Sequence, residues 1–383
     1  MTKKEKKTEL HDGLRHILKE HLMWNKAHLD CFIGMLFSLL HLKQVNLTQL
    51  ALAFPSEAKL SSRYRRLQRF FQKVSFDYDA MADLLMKNFG FFGKNYYLTL
   101  DRTNWKWGKN NLNILTLGVV YRGIAIPILW EVLDKQGNSN QKERITLMKR
   151  FIHQFGQHNI SGLLGDREFI GEKWWKWLTN ASIPYLVRVK KNQRIIDIQG
   201  QERAVASLFN DLKVNKIRVL RKPRWMSNQW VWLSGMKLES GELLILAGNE
   251  YFQKPMTVYG HRWEIETLFQ SLKGRGFHRE ETRLTTPSRI KKMMALLSIA
   301  FCWSHKMGEW KHKEIKPLQA KKHGRLEQSL FRYGLDYLTD CLIKQVTKKI
   351  DVAHLLMIFL CPPNMTHPKK IRKNIKNHSA EVI

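Results

Sequence analysis

Apolar residues recur at intervals of three and four from His11 to about Phe92, with almost no alternating stretch, so this region reads as an all-helical module. Within it, Asn46 to Phe54 makes a short helix and Pro55-Ser56 breaks it. Leu60 to Phe71 then makes another helix carrying Arg63, Arg65, Arg66 and Arg69. Two short helices with a basic second member have the form of a helix-turn-helix, with Arg63 and Arg66 as base-reading candidates. An ordinary helical hairpin with a solvated basic face has the same pattern.

The periodicity changes at Asn95. Tyr96 to Leu100, Leu112 to Tyr121 and Gly123 to Leu133 read as three strands, the last two joined by Arg122-Gly123. Gln141 to Phe155 follows as a helix, Ile160 to Gly165 as a strand, Gly171 to Leu178 as a helix and Ile183 to Val189 as a strand. That order predicts an α/β fold with a ribonuclease-H-like mixed sheet core. Gln193 to about Asn249 interrupts it with short alternating runs such as Lys216 to Leu220 and Gln229 to Ser234, a β-rich insertion. Helices are expected again over Val258 to about Lys273, Ser288 to about Met307 and Leu326 to about Lys349, with a basic linker at Lys311 to Lys322 and a mobile basic tail from Pro362 to Ile383.

Charge narrows the possible partners. Lys and Arg number 65 against 33 Asp and Glu, a formal net charge of +32 spread through the whole length. Such a field suits a polyanion, and nucleic acid is the expected partner. The 44% hydrophobic content, 13 Trp and 19 Phe indicate packed domains rather than a coating arm. Cys31, Cys302, Cys341 and Cys361 lie far apart and form no C-x-x-C pair, so the sequence supports neither a zinc site nor a disulfide framework. The apolar blocks Cys31 to Leu42 and Met293 to Trp303 are too short to span a bilayer. No membrane partner and a cytoplasmic location are therefore expected.

Two carboxylates stand where strands should end. Asp101 follows the apolar run Tyr96 to Leu100, and Asp166 follows Ile160 to Gly165. Ligands of open α/β sheets bind at the carboxyl ends of strands. Each aspartate alone reads as a turn residue, but together in so basic a chain they suit a hard cation, Mg²⁺ or Mn²⁺. The helix from Val258 adds Tyr259, Arg262, Glu266 and Lys273, whose spacing of three, four and seven puts them on one stripe, whereas Glu264 faces elsewhere. A salt-bridged surface stripe would have the same spacing.

The string Y-x-x-R-x-x-x-E-x-x-x-x-x-x-K formed by Tyr259, Arg262, Glu266 and Lys273 resembles the signature of the insertion-sequence-four family of bacterial DDE transposases. His261-Arg-Trp-Glu-Ile-Glu266 is similar to the H-R-W-x-I-E core of its composite-transposon members. Asp101-Arg-Thr103 and Asp166-Arg-Glu168 are similar to the strings around that family's first and second catalytic aspartates. The resemblance implies cut-and-paste transposition, in which Asp101, Asp166 and Glu266 bind two divalent ions, Mg²⁺ with Mn²⁺ able to substitute. Those ions, roughly 4 Å apart, would activate the attacking oxygen and stabilise the leaving one. It also implies a DNA hairpin at the element end, with Tyr259, Arg262 and Lys273 holding phosphates and Trp263 beside them. A flipped base needs an aromatic platform, and Trp225, Trp230 and Trp232 in the insertion are candidates.

The implied partners are double-stranded DNA, as terminal inverted repeats and as target, and a second copy of the chain in a synaptic homodimer associated with the bacterial nucleoid. The expected division is a helical DNA-binding domain (1–92), a first part of the catalytic core (93–192), the β-rich insertion (193–250), a second part of the core with the signature helix (251–310), and a helical C-terminal region with the tail (311–383). A ribonuclease-H-like nuclease or resolvase that never joins ends is the first alternative; a DNA-binding protein without catalytic activity is the second. Motifs for phosphate-loop hydrolysis, zinc peptidases and serine hydrolases are absent.

Overall fold

The computed structural model describes residues 3–107, 110–322, 326–344 and 352–362. The chain divides into two compact units. One is Met1–Phe92, Lys106–Asn110 and Phe269–Ile383, and the other is Gly93–Trp105 and Asn111–Leu268.

The helical unit begins with α1 (Lys3–His21), α2 (Lys26–Leu42), α3 (Leu47–Ala53), α4 (Leu60–Lys73) and α5 (Tyr78–Asn88). The side chains of Asn25, Asn46 and Asp77 accept backbone N–H groups at the starts of α2, α3 and α5, which fixes where those helices begin. α2 is apolar on all sides because all sides are covered: Leu29 and Cys31 to Leu40 are buried. No single described helix is long and apolar enough to cross a membrane.

The second unit contains β1 (Tyr96–Trp107), β2 (Asn110–Tyr121), β3 (Ile124–Leu133), α6 (Gln141–Phe155), β4 (Ile160–Gly165), α7 (Glu172–Asn180) and β5 (Tyr185–Val189). Their order across the sheet is β3-β2-β1-β4-β5, with β1, β4 and β5 parallel and β2–β3 an antiparallel hairpin. This is the ribonuclease-H-like arrangement. The hairpin turns on Arg122 and Gly123, both at positive φ, as a two-residue connection between right-twisted strands requires. α6 begins with a reciprocal cap in which Asn140 accepts the Glu143 N–H and Glu143 accepts the Asn140 N–H.

The β-rich segment holds β6 (Arg194–Ile196), β7 (Glu202–Ala204), β8 (Ile217–Val219), β9 (Arg224–Met226), β10 (Gln229–Lys237) and β11 (Leu243–Gly248). It does not stand apart from the core. β11 pairs antiparallel with β5, and β10 with β11, so the sheet runs on from the core into the insertion. The reason is burial: Leu244 and Leu246 of β11 join Leu164, Leu186 and Tyr259 in one apolar cluster.

After β11 come α8 (Pro255–Gly260) and α9 (Trp263–Leu272), not one helix from Val258 to Lys273. Gly260 weakens the helix, and His261 to Ile265 are linked by i→i+3 bonds, such as Arg262 N–H to the Tyr259 carbonyl at 2.9 Å. The chain closes with α10 (Pro287–Glu314), α11 (Leu330–Lys344) and α12 (Val352–Leu360). α10 extends through the start of the expected basic linker and is the spine of the helical unit, buried at nearly every position from Met293 to Gly308. It crosses α11 with backbones in contact: a Cβ on Gly334 would lie 1.8 Å from the Ser304 carbonyl oxygen. Buried Lys306 donates to the Asn88 and Phe359 carbonyls at 3.0 and 2.8 Å, tying the ends of α5 and α12 to α10. The last residues expected in the Leu326 helix, 345–349, and the expected tail beyond Pro362 lie outside the described residues.

Candidate active site

The parallel register of β1 and β4 sets the position of both aspartates. Leu98 pairs with Leu163 and Thr99 with Leu164, and two residues farther along each chain stand Asp101 and Asp166. Asp101 lies within β1, which continues to Trp107, rather than at the end of that strand. It is β4 that stops, at Gly165, which leaves Asp166 just beyond its end and near enough to Asp101 for its charge to act there. Asp101 Oδ1 accepts the Arg102 N–H at 2.7 Å, and Asp166 Oδ1 accepts the Glu168 N–H at 2.8 Å. Burial, and then the nearby Asp166 charge, push the Asp101 carboxyl up to about 7; Glu266 adds to this, while the Arg102 N–H and Arg262 oppose it.

Arg262 occupies the turn between α8 and α9 and is 8% exposed. Its guanidinium lies 3.6 Å from Asp101 Oδ2 and also donates to Glu266 Oε1. Glu266 itself is 41% exposed. The structure therefore brings Asp101, Asp166, Arg262 and Glu266 into one charged neighbourhood, with a cation between the aspartate and the glutamate. Among the described residues no three acidic, histidine or cysteine side chains stand close enough to hold one metal ion together.

The other signature residues do not form a single stripe, because the helix breaks between them. Tyr259 is buried in the Leu164–Leu246 cluster; its ring lies 5.8 Å from the Arg262 guanidinium, and its hydroxyl has no hydrogen-bond partner among the described residues. Trp263 is 45% exposed, edge-on to Tyr259 and beneath Arg262 at 5.2 Å. Lys273 follows α9, belongs to the helical unit, and pairs with Glu280 at 3.3 Å. Glu264 faces away from the site, accepting the Tyr121 N–H at 2.9 Å. Of the insertion's tryptophans, Trp230 is exposed, while Trp225 and Trp232 are half-buried against Trp230 and Tyr251 respectively.

In the helical unit, α3 and α4 form the expected pair, but their arginines divide by role. Arg63 donates to the Leu52 and Phe54 carbonyls at 3.0 and 3.3 Å, closing the end of α3. Arg66 donates to the Ala27 carbonyl at 3.1 Å and lies over the Phe54 ring. Both residues named as base readers thus hold protein carbonyls, although Arg66 is still exposed, as are Arg65, Arg69 and Lys73 of α4.

The sequence reads Glu168 as a structural neighbour of the site rather than a ligand, and gives Arg102 no role. Glu168 accepts Arg102 Nε at 3.0 Å and both the N–H and hydroxyl of Ser139 at 2.9 Å; Arg144 in turn donates to the Ser139 hydroxyl at 2.8 Å. Arg102 also reaches Asn113 at 2.8 Å. The residues that follow the two aspartates are therefore tied to each other, which fixes the separation of Asp101 and Asp166. The signal was present in the two strings Asp101-Arg and Asp166-Arg-Glu, where charges continue past each strand's apolar run. Glu168→Gln should leave Arg102 and Arg144 undercompensated, cost roughly 2 kcal/mol of stability and slow any reaction at the aspartates, with DNA affinity unchanged. Thermal denaturation and single-turnover cleavage check this; a variant equal to wild type in both would show that the network positions nothing.

No curated protein sequence matches the chain significantly. Among solved structures, a cryo-EM structure of a piggyBac transposase synaptic complex with hairpin DNA is similar to 92% of this chain and 76% of its own, at 14% identity and a TM-score of 0.47. Residues 98–303 match the family described as the transposase DDE domain, a stretch that contains Asp101, Asp166 and Glu266, and the chain belongs to that family of metal-dependent transposases.

Proposed function

We propose that the protein is a cut-and-paste transposase that binds the ends of an insertion sequence, cleaves them through a DNA hairpin, and joins the 3′ ends to target DNA as a homodimer on the nucleoid. The observation that carries this reading is the side-by-side placement of Asp101 and Asp166 on parallel β1 and β4, with Arg262 and Glu266 beside them.

The donor set fits divalent cations. It is all carboxylate oxygen, and burial, with the Asp166 charge beside it, raises the Asp101 carboxyl to about 7, a cost that a bound divalent ion would offset. Asp101 and Asp166 would hold an ion between them, and Glu266 would serve once it leaves Arg262. Bound Mg²⁺, or Mn²⁺ in its place, supplies activation of the attacking oxygen and stabilisation of the leaving one.

The remaining roles belong to the chain. Arg262 neutralises Asp101 and Glu266 in the DNA-free protein, and a phosphate arriving with the scissile strand competes for its two-pronged donor. That exchange frees Glu266. The Tyr259 hydroxyl, which has no hydrogen-bond partner among the described residues, can donate to the same phosphate; Lys273, in the helical unit, offers DNA a further point charge. Exposed Trp263 and Trp230 offer faces for an extruded base. Arg65 and Arg69 reach DNA from α4.

A time course on labelled end DNA that separates nicked, hairpin and released species tests the reading. Tyr259→Phe and Arg262→Ala should slow hairpin formation by about tenfold more than first-strand nicking, because only the hairpin step repositions a phosphate and unstacks a base at a cost of a few kcal/mol. Equal slowing of both steps at unchanged thermal stability would count against it.

A further inference from the structure

Beside the aspartates, α6 and the turn before it border a solvent-open groove of about 920 Å³, whose far wall is the start of α7. Its lining carries the exposed Lys142 and Lys149 of α6 and Lys173 of α7, together with the buried Arg144. The only carboxylate in the lining is Glu168, and its oxygens already accept from Arg102 and Ser139. Glu143, the acid nearest in sequence on α6, faces its own cap and Lys135, 2.8 Å away, and is not part of the lining. The three lysines are exposed, and among the described residues no acid is paired with them.

The groove adjoins the site through Glu168. Glu168 forms part of its floor, and the Glu168 N–H holds Asp166 Oδ1 at 2.8 Å. A polymer whose reacting bond lies at Asp101 and Asp166 must leave the site in some direction, and here a channel of positive charge begins two residues away. We infer that this groove, walled by Lys142, Lys149 and Lys173, carries the phosphodiester backbone of DNA leaving the reacting bond. Spaced ammonium groups on a rigid helix are point-charge contacts that grip phosphates without reading sequence. The inference rests on the transposase reading and adds a contact surface outside the carboxylates and the signature residues.

The test is the Lys142→Ala/Lys149→Ala/Lys173→Ala protein, whose changes lie at exposed positions and leave the core and the Glu168 network intact. Binding to labelled duplex is measured across a salt series, followed by cleavage of end DNA with and without flanking sequence and by joining to a plasmid. Each lost phosphate contact lowers the slope of log affinity against log salt by about 0.9, so a slope shallower by roughly 2 to 3 is expected. Slower cleavage confined to ends that carry flanking DNA assigns the groove to the flank; normal cleavage with reduced joining assigns it to the target. An unchanged slope with normal cleavage and joining overturns the inference and leaves the transposase reading intact. A wild-type protein that neither binds nor cuts DNA overturns both.

Discussion

Asp101→Asn, Asp166→Asn and Glu266→Gln should each reduce cleavage of element-end DNA by at least about 10³-fold while leaving end binding nearly unchanged. The substitutions are close to isosteric, and the hydrogen bonds that hold the two aspartates survive them. An Asn oxygen can still accept the Arg102 N–H at position 101 and the Glu168 N–H at position 166. Glu266 is partly exposed and interacts mainly with Arg262, so its change costs little stability. What disappears in each case is a formal charge needed to hold a divalent ion, whereas DNA affinity rests on the cations of a chain with net charge +32. Single-turnover cleavage with Mg²⁺, alongside end binding without metal, makes the comparison. Near-normal cleavage by any one variant would remove that residue from the site.

The same cluster should make the metal-free protein sensitive to pH. The Asp101 carboxyl is raised from 3.8 to about 7 by burial and by Asp166, so the folded state holds a proton that the unfolded chain releases. Stability from this group is fully present below about pH 4 and is lost as pH rises to about 7. A rise from 3.8 to about 7 corresponds to roughly 4 kcal/mol at most. Protein stripped of divalent ions should accordingly melt lower at pH 8 than at pH 5.5, apart from the contributions of other titrating groups. Asp101→Asn should remove that part of the slope and be more stable than wild type at pH 8, and Mg²⁺ should restore wild type but not the variant. Parallel pH profiles for the two proteins would show that Asp101 is not the strained group. Stability gained by a change that abolishes cleavage would separate a reactive carboxylate from a structural one.

Much of the fold was legible because its signals are local. The Gln141 helix and the Ile160 strand have the expected bounds, since a reciprocal Asn140–Glu143 cap starts the one and an apolar run bounded by a charge defines the other. Asp101 and Asp166 were legible as a pair, but their alignment depends on the β1–β4 register, which no single segment contains. The signature spacing suggested one stripe; Gly260 and the i→i+3 turn at His261 and Arg262 divide it, bury Tyr259 and put Arg262 between two carboxylates. The edge of the insertion joined the core sheet for a reason that is equally nonlocal, the shared apolar cluster around Leu246 and Tyr259. That Arg63 and Arg66 also hold protein carbonyls was not legible in sequence, because those carbonyls, at Leu52, Phe54 and Ala27, lie outside α4.

In the proposed function, Asp101, Asp166 and Glu266 both cut DNA and join its ends. The most direct measurement incubates the protein with end DNA and a supercoiled plasmid, with and without Mg²⁺, and sequences the products. The expected products are 3′ ends joined covalently to the plasmid only when a divalent ion is present, and none with Asp101→Asn. Cleavage without joining would instead identify a nuclease or resolvase, and joined products from Asp101→Asn would contradict the assignment of the site.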